Sequence, residues 1–155
     1  MRRRDNGTLL AILAILVIFC GGALLMFLVI NLLGYGDIAS PSEKVKFKNI
    51  IYDENQVCIL EKNTWGVTYT NTKSMDPVLD AGMKGVERKV NFPDELRVGD
   101  IISYYRGQRV AHRIKKIGYD KDGWYAYVQG DTNPLPDPGK VRFNEVRGVL
   151  IAIIY

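Results

Sequence analysis

The sequence predicts a mainly β protein carried behind one N-terminal transmembrane helix. Three observations predict it. A long uncharged apolar run opens the chain. Short stretches rich in β-branched and aromatic residues follow, and turn signals separate them.

The helix comes first. Residues 9–33 carry no charge over 25 positions. As a helix that run is ~37 Å long, enough for a hydrocarbon core of ~30 Å with some tilt. A cleaved signal peptide has an apolar region of only about 7–15 residues. The reading is therefore an uncleaved anchor over 8–33. Arg2, Arg3 and Arg4 precede it, and no Lys follows until Lys44. The positive-inside tendency keeps 1–7 in the cytoplasm and sends the rest across. Tyr35 suits the aromatic belt at the interface. Residues 34–46, "GYGDIASPSEKVK", read as a linker leaving the membrane.

Residues 47–155 can bury one modest core. The runs "KFKNIIY", "QVCILE", "WGVTYT", "DIISYY", "QRVAHRIKKIGY", "GWYAYVQG" and "RGVLIAIIY" are the expected strands. "YDKDGWYAYV" is the clearest hairpin, with Asp122–Gly123 expected at its bend. The last ten residues are too few to span a bilayer and read as a closing buried strand. The net charge of +4 is small once the N-terminal arginines are set aside, and the two signs are mixed. That argues against a nucleic-acid partner. Cys20 lies in the apolar run and Cys58 beyond it, so no disulfide is expected.

Three places carry residues suited to chemistry. Ser74 stands in the turn-prone "TKSMDP". A serine hydroxyl is a poor nucleophile until a base takes its proton. His112, the one histidine of the chain, lies in an expected strand where Val110, His112 and Ile114 share a face. Imidazole is the commonest general base near neutral pH. The loop "QGDTNPLPDPG" holds Asp131 and Asp137, and its prolines stiffen it. A stiff acidic loop can orient an imidazole and stabilise its cation. One histidine without a cysteine cluster offers too few ligands for a metal, and no cofactor is expected.

The order of these pieces resembles the type I signal peptidases, of the archaeal and endoplasmic-reticulum type. That family has an N-terminal anchor, then "S-x-S-M-x-P", a "GD-hydrophobic" strand, a strand bearing the base, and a "GDN" loop with a second Asp six residues on. Here those places read "TKSMDP" (72–77), "VGDIISYY" (98–105), "VAHRI" (110–114), "QGDTN" (129–133) and Asp137. The resemblance implies a signal-peptidase-like domain of bent antiparallel sheets over 47–155. It also implies a serine endopeptidase that cleaves signal peptides from exported preproteins.

Carried over residue by residue, Ser74 is the nucleophile and His112 the general base. Asp137 orients the histidine, with Asp131 bracing the loop or sharing that role. Thr72 and the Ser74 backbone N–H serve the oxyanion. Met75 and Pro77 are contacts to substrate or membrane. The family's substrates carry small residues at the first and third positions before the cut. That implies two shallow apolar pockets beside Ser74, with the substrate adding as an extended strand. The implied location is a cell membrane, or one of endoplasmic-reticulum type, with the catalytic domain outside the cytoplasm. Implied partners are preprotein signal peptides and the lipid bilayer, with room for secretion-channel or accessory subunits.

Some places depart from the family pattern. Val78 follows Pro77 where the family has Thr, and "GDTN" replaces "GDNN". Residues 81–96 are longer than in the simplest members, which predicts a reshaped substrate groove. Two other readings stay open. Lys115 or Lys116 replaces His112 as the base, in the bacterial manner. Or the chain is a non-catalytic anchored β module that binds exported chains or a secretion partner.

Overall fold

The computed structural model describes residues 6–32 and 38–155, with the helical side chains described over 15–29. The arginine flank, Leu33, Tyr35 and the first residues of the expected linker lie outside the described residues. The chain divides into two compact units, 1–37 and 38–155.

The first unit holds helix α1, Asn6–Leu32. Leu, Ile, Ala, Met and Phe dominate it and no proline interrupts it, so the run favours a helix despite the Gly21–Gly22 pair at its middle. Between 15 and 29 its apolar side chains are exposed all round. Among the described residues no helix is long and apolar enough to cross a membrane. The stretch with described side chains is itself shorter than the ~20 residues a span needs.

The second unit is mainly β. Its strands are β1 (Ile50–Tyr52), β2 (Val57–Ile59), β3 (Thr64–Thr68), β4 (Lys84–Arg88), β5 (Ile101–Arg106), β6 (Gln108–Asp120), β7 (Gly123–Gln129), β8 (Val141–Arg142) and β9 (Val146–Ile154). The first two form a small hairpin. The others form one sheet in the order β3-β4-β9-β5-β6-β7-β8, with every pair antiparallel. Register breaks at Val86/Glu87, Ser103/Tyr104 and Ile114/Lys116. Each such bulge bends and twists the strand that carries it.

Alternation fixes two cores. Ile102, Tyr104, Ile114, Val128, Val141 and Val149 pack together in the larger one. Met75, Leu79, Ile101 and Leu150 form the smaller. Full burial of such a side chain is worth about 1.5–3 kcal/mol. The larger core therefore holds the sheet, and the smaller one pins the loop that carries Ser74.

Several expectations need correction. Residues 38–46 are not a free linker. The backbone N–H and Oγ of Ser42 both donate to Asp100 Oδ1 at 2.8 Å. Lys44 Nζ pairs with Asp100 Oδ2 at 2.6 Å. Gly99 sits under this segment at φ +97, and a Cβ there would lie 2.1 Å from the Ser40 carbonyl oxygen.

Residues 81–96, where no strand was expected, contain β4, inside the sheet between β3 and β9. The closing strand β9 lies mid-sheet between β4 and β5, buried over 148–150, half-buried over 151–153 and exposed at Ile154. The β6–β7 hairpin turns one residue earlier than expected. Asp120 pairs with Gly123, so Lys121–Asp122 form the bend. Gly123, at φ +95, supplies the left-handed residue that resumes the strand.

Candidate active site

Ser74 stands on a loop fixed from two sides. Met75, 3 % exposed, and Leu79, 5 % exposed, plug it into the smaller core. Lys73, just before the serine, holds φ 59, a left-handed conformation uncommon outside glycine. The loop after β7 clamps the other side. Thr132 N–H donates to the Ser74 carbonyl at 3.1 Å. Thr132 Oγ1 donates to the Lys73 carbonyl at 2.6 Å. Gly130 makes this approach feasible, since a Cβ there would lie 2.5 Å from the Ser74 carbonyl oxygen.

His112 comes from β6, opposite Ile102 of β5. It is 8 % exposed. Its Nε2 lies 3.1 Å from Ser74 Oγ, and its Nδ1 lies 2.6 Å from Asp137 Oδ2. The expected convergence of Ser74, His112 and Asp137 is therefore present. Asp137 is held by its backbone N–H, which donates to the Val128 carbonyl at 2.9 Å. Arg106 holds the same loop by donating to the carbonyls of Pro138 and Lys140. Tyr104, 1 % exposed, donates its hydroxyl to Asp137 Oδ2.

Burial opposes ionisation of Asp137. Hydrogen bonds from His112 and Tyr104 outweigh it, with help from the charges of His112 and Arg106, and hold the carboxyl below its ordinary value. Tyr104 is pushed the other way, by burial and by the carboxylate it faces. An ionised Asp137 can only accept hydrogen bonds. In the neutral imidazole the proton therefore sits on Nδ1, which leaves Nε2 to accept from the Ser74 hydroxyl. Thr72 Oγ1 lies 2.9 Å from Ser74 Oγ and completes the chain by donating to it. The Ser74 backbone N–H meets Thr72 Oγ1 only at 3.5 Å, a weak contact.

Asp131 does not share the histidine. Its two oxygens accept from Arg113 Nε and Nη2 at 2.7 and 2.6 Å. Both side chains are nearly inaccessible, at 3 % and 1 % exposed. Arg113 also donates to the Gly99 carbonyl at 2.8 Å and the Ala39 carbonyl at 3.2 Å. The pair ties β6 to the loop that clamps Ser74, so Asp131 braces and Asp137 orients.

Met75 is buried in the smaller core and also lines the cleft, beside Ser74. Pro77 is exposed and is not among the residues that line the cleft. Among the described residues, Lys115 and Lys116 neither bond to Ser74 nor line the cleft, and the bulge at Ile114/Lys116 breaks the alternation a lysine base would need. Tyr104, Thr132 and Arg113 escaped sequence reasoning, because a Tyr, a Thr and an Arg in a strand or turn have no distinguishing spacing.

A cleft of about 570 Å³ opens from this cluster. Thr68, Thr70, Val110 and Ala111 are among the residues that line it. Among the described residues, the segment 108–112 of β6 pairs with β5 alone, because pairing with β7 begins at Arg113. One edge of that segment is thus open for another strand. A hydroxyl poised on an imidazole, itself oriented by a carboxylate, can attack a carbonyl and form an acyl intermediate. Among the described residues no cluster of His, Cys, Asp or Glu is suited to a metal ion. In comparisons with known proteins, no family model, no curated protein and no solved structure matches this chain.

Proposed function

We propose that this chain is a membrane-anchored serine endopeptidase that removes N-terminal signal peptides from exported preproteins. The observation that carries the proposal is the relay from Ser74 Oγ through His112 to Asp137, with spacings of 3.1 and 2.6 Å, at the wall of a cleft. The substrate class rests on the ordered motifs from "TKSMDP" to Asp137 and on the apolar run at 9–33.

In the proposed reaction an extended preprotein segment lies in the cleft with its scissile carbonyl against Ser74 Oγ. The hydroxyl proton passes to His112 Nε2 as the Oγ–C bond forms. Asp137 stabilises the imidazolium that results. The negative charge on the former carbonyl oxygen is met by the Ser74 backbone N–H. Thr72 contributes when its hydroxyl swings from Ser74 Oγ to the oxyanion. One such donor is typically worth ~3 kcal/mol of barrier. His112 then gives its proton to the departing amine, and water, activated by the same imidazole, releases the acyl group.

Anchoring serves this chemistry. A helix without a polar face belongs in lipid or in a packed interior. The uncharged run and the arginines before it suit a single pass with the N-terminus in the cytoplasm. A signal peptide's apolar segment lies in the same bilayer, so a tethered protease meets its cleavage site without a search through bulk solution. The bilayer and the preprotein are then the obligatory partners, and a secretion channel would deliver the substrate.

The test is cleavage of a preprotein by the full chain reconstituted in liposomes. The proposal expects one cut at the signal-peptide boundary, lost in Ser74→Ala and in His112→Ala. An intact preprotein, or a cut that survives Ser74→Ala, refutes it.

A further inference from the structure

The cleft changes chemical character with distance from Ser74. Side chains alternate along β6, so Ala111 and Arg109 share a face two residues apart. Around Ala111 the wall is apolar, built on Met75, Leu79 and Ile101. Around Arg109 it is not. Glu87 of β4 lines the same cleft although it is only 1 % exposed. Ser103 Oγ donates to Glu87 Oε2 at 2.6 Å, and Arg109 Nη2 donates to the same oxygen. Arg109 Nη2 also donates to Ser103 Oγ at 3.2 Å. The Tyr69 hydroxyl donates to Glu87 Oε1 over a long 3.4 Å.

A buried carboxylate is tolerated only when paired and hydrogen-bonded. Val or Leu at position 87 would have closed this wall with no such requirement. Arg109 keeps 46 % of its side chain exposed, with its guanidinium 5.8 Å from the Trp65 ring centre. Among the described residues neither its Nε nor its Nη1 has a protein partner, so three N–H donors of this cleft-lining side chain remain open.

We propose that Arg109, held by buried Glu87 and Ser103, forms a polar specificity subsite for the third residue before the cut. The subsite takes a neutral side chain with an oxygen acceptor: Asn, Gln, Ser or Thr. This rests on the protease reading above. A peptide strand laid along 108–112, with its first residue before the cut beside Ser74 and Ala111, presents its next same-face side chain about 6.6 Å away. Arg109 stands one such repeat along β6. An apolar side chain there would cover the open donors of Arg109 without replacing the water they lose. A charged one would add an unpaired charge to a pair that already balances. Of the two apolar pockets the family resemblance implies, only the one beside Ala111 keeps that character.

The test uses the full chain in detergent and peptides differing only at the third residue before the cut: Ala, Val, Asn, Gln, Lys or Asp. Cleavage by the unaltered chain is read as kcat/KM. Binding to Ser74→Ala is read by fluorescence polarisation, which needs no catalysis. Asn and Gln should exceed Ala and Val roughly tenfold in both, the effect of one hydrogen bond to a charged group. Arg109→Met should abolish that preference. So should the double variant Glu87→Gln/Arg109→Met, which removes both charges together and leaves no stranded carboxylate. Equal or better binding of Ala and Val overturns the subsite, as does a preference that survives Arg109→Met, or no peptide binding at all. Polar-selective binding without any cleavage would sink the protease reading and leave the subsite standing. Cleavage that favours Ala would do the reverse.

Discussion

Replacing Asp137 with Asn removes one charge from the relay and little else. The amide has nearly the same shape, and its oxygen can still accept from both Tyr104 and His112 Nδ1, which converge on one atom of the carboxylate. What disappears is the attraction between the carboxylate and the imidazolium. The contacting atoms stand 2.6 Å apart, and the side chains are 10 % and 12 % exposed. With charge centres about 4 Å apart and an effective dielectric near 20, unit charges attract by about 4 kcal/mol. That attraction exists in full only after His112 has taken the serine proton, so it lowers the barrier and not the ground state. A loss of about 4 kcal/mol is about a thousandfold in rate. Single-turnover cleavage of a signal-peptide substrate in detergent measures it directly. A loss below tenfold, with the fold intact by circular dichroism, would refute the assignment of Asp137.

Other perturbations separate the roles further. Asp131→Asn breaks a buried ion pair and should lower unfolding free energy by about 3–5 kcal/mol in a denaturant titration. A variant as stable as the parent would contradict the bracing role. Gly130→Ala places a Cβ 2.5 Å from the Ser74 carbonyl oxygen, so the clamp or the nucleophile loop must shift. Misplacement of that order should reduce cleavage about a hundredfold, and an unchanged rate would show that the contact positions nothing. Asp137 is more acidic folded than unfolded, so its ionisation stabilises the fold above the unfolded value near 3.9 and ceases to do so as pH falls through the lower folded value. The stability gap between the parent and Asp137→Asn should therefore shrink as pH falls below about 4. A gap that widens as pH falls further below 4 would contradict the direction of the shift.

The sheet was legible where strands are rich in β-branched and aromatic residues, as in "DIISYY" and "GWYAYVQ". β4 was not, because "KGVER" has one β-branched residue, and its acidic member turns inward to meet Ser103 and Arg109. Charge usually marks a solvated face, and at Glu87 the tertiary setting overrides that rule. β8 has two residues, below any useful period. The relay was legible as an order of motifs, and the choice between Asp131 and Asp137 was not. That choice depends on Arg113, one residue from His112 on the opposite face of β6, which claims Asp131 for itself. The burial of Met75 was hidden for a similar reason, since nothing in "KSMDP" says that Leu79, Ile101 and Leu150 form a socket for it.

The proposed chemistry requires that Ser74 be activated through His112. Exposing the full chain in detergent to a serine-reactive acylating probe, and locating the adduct by peptide mass spectrometry, tests it most directly. One adduct is expected, at Ser74 and not at Ser40, Ser42 or Ser103, formed at least a hundredfold more slowly in His112→Ala, the low end of what a positioned general base contributes. Equal labelling of Ser74 in both proteins, or none in either, would contradict it.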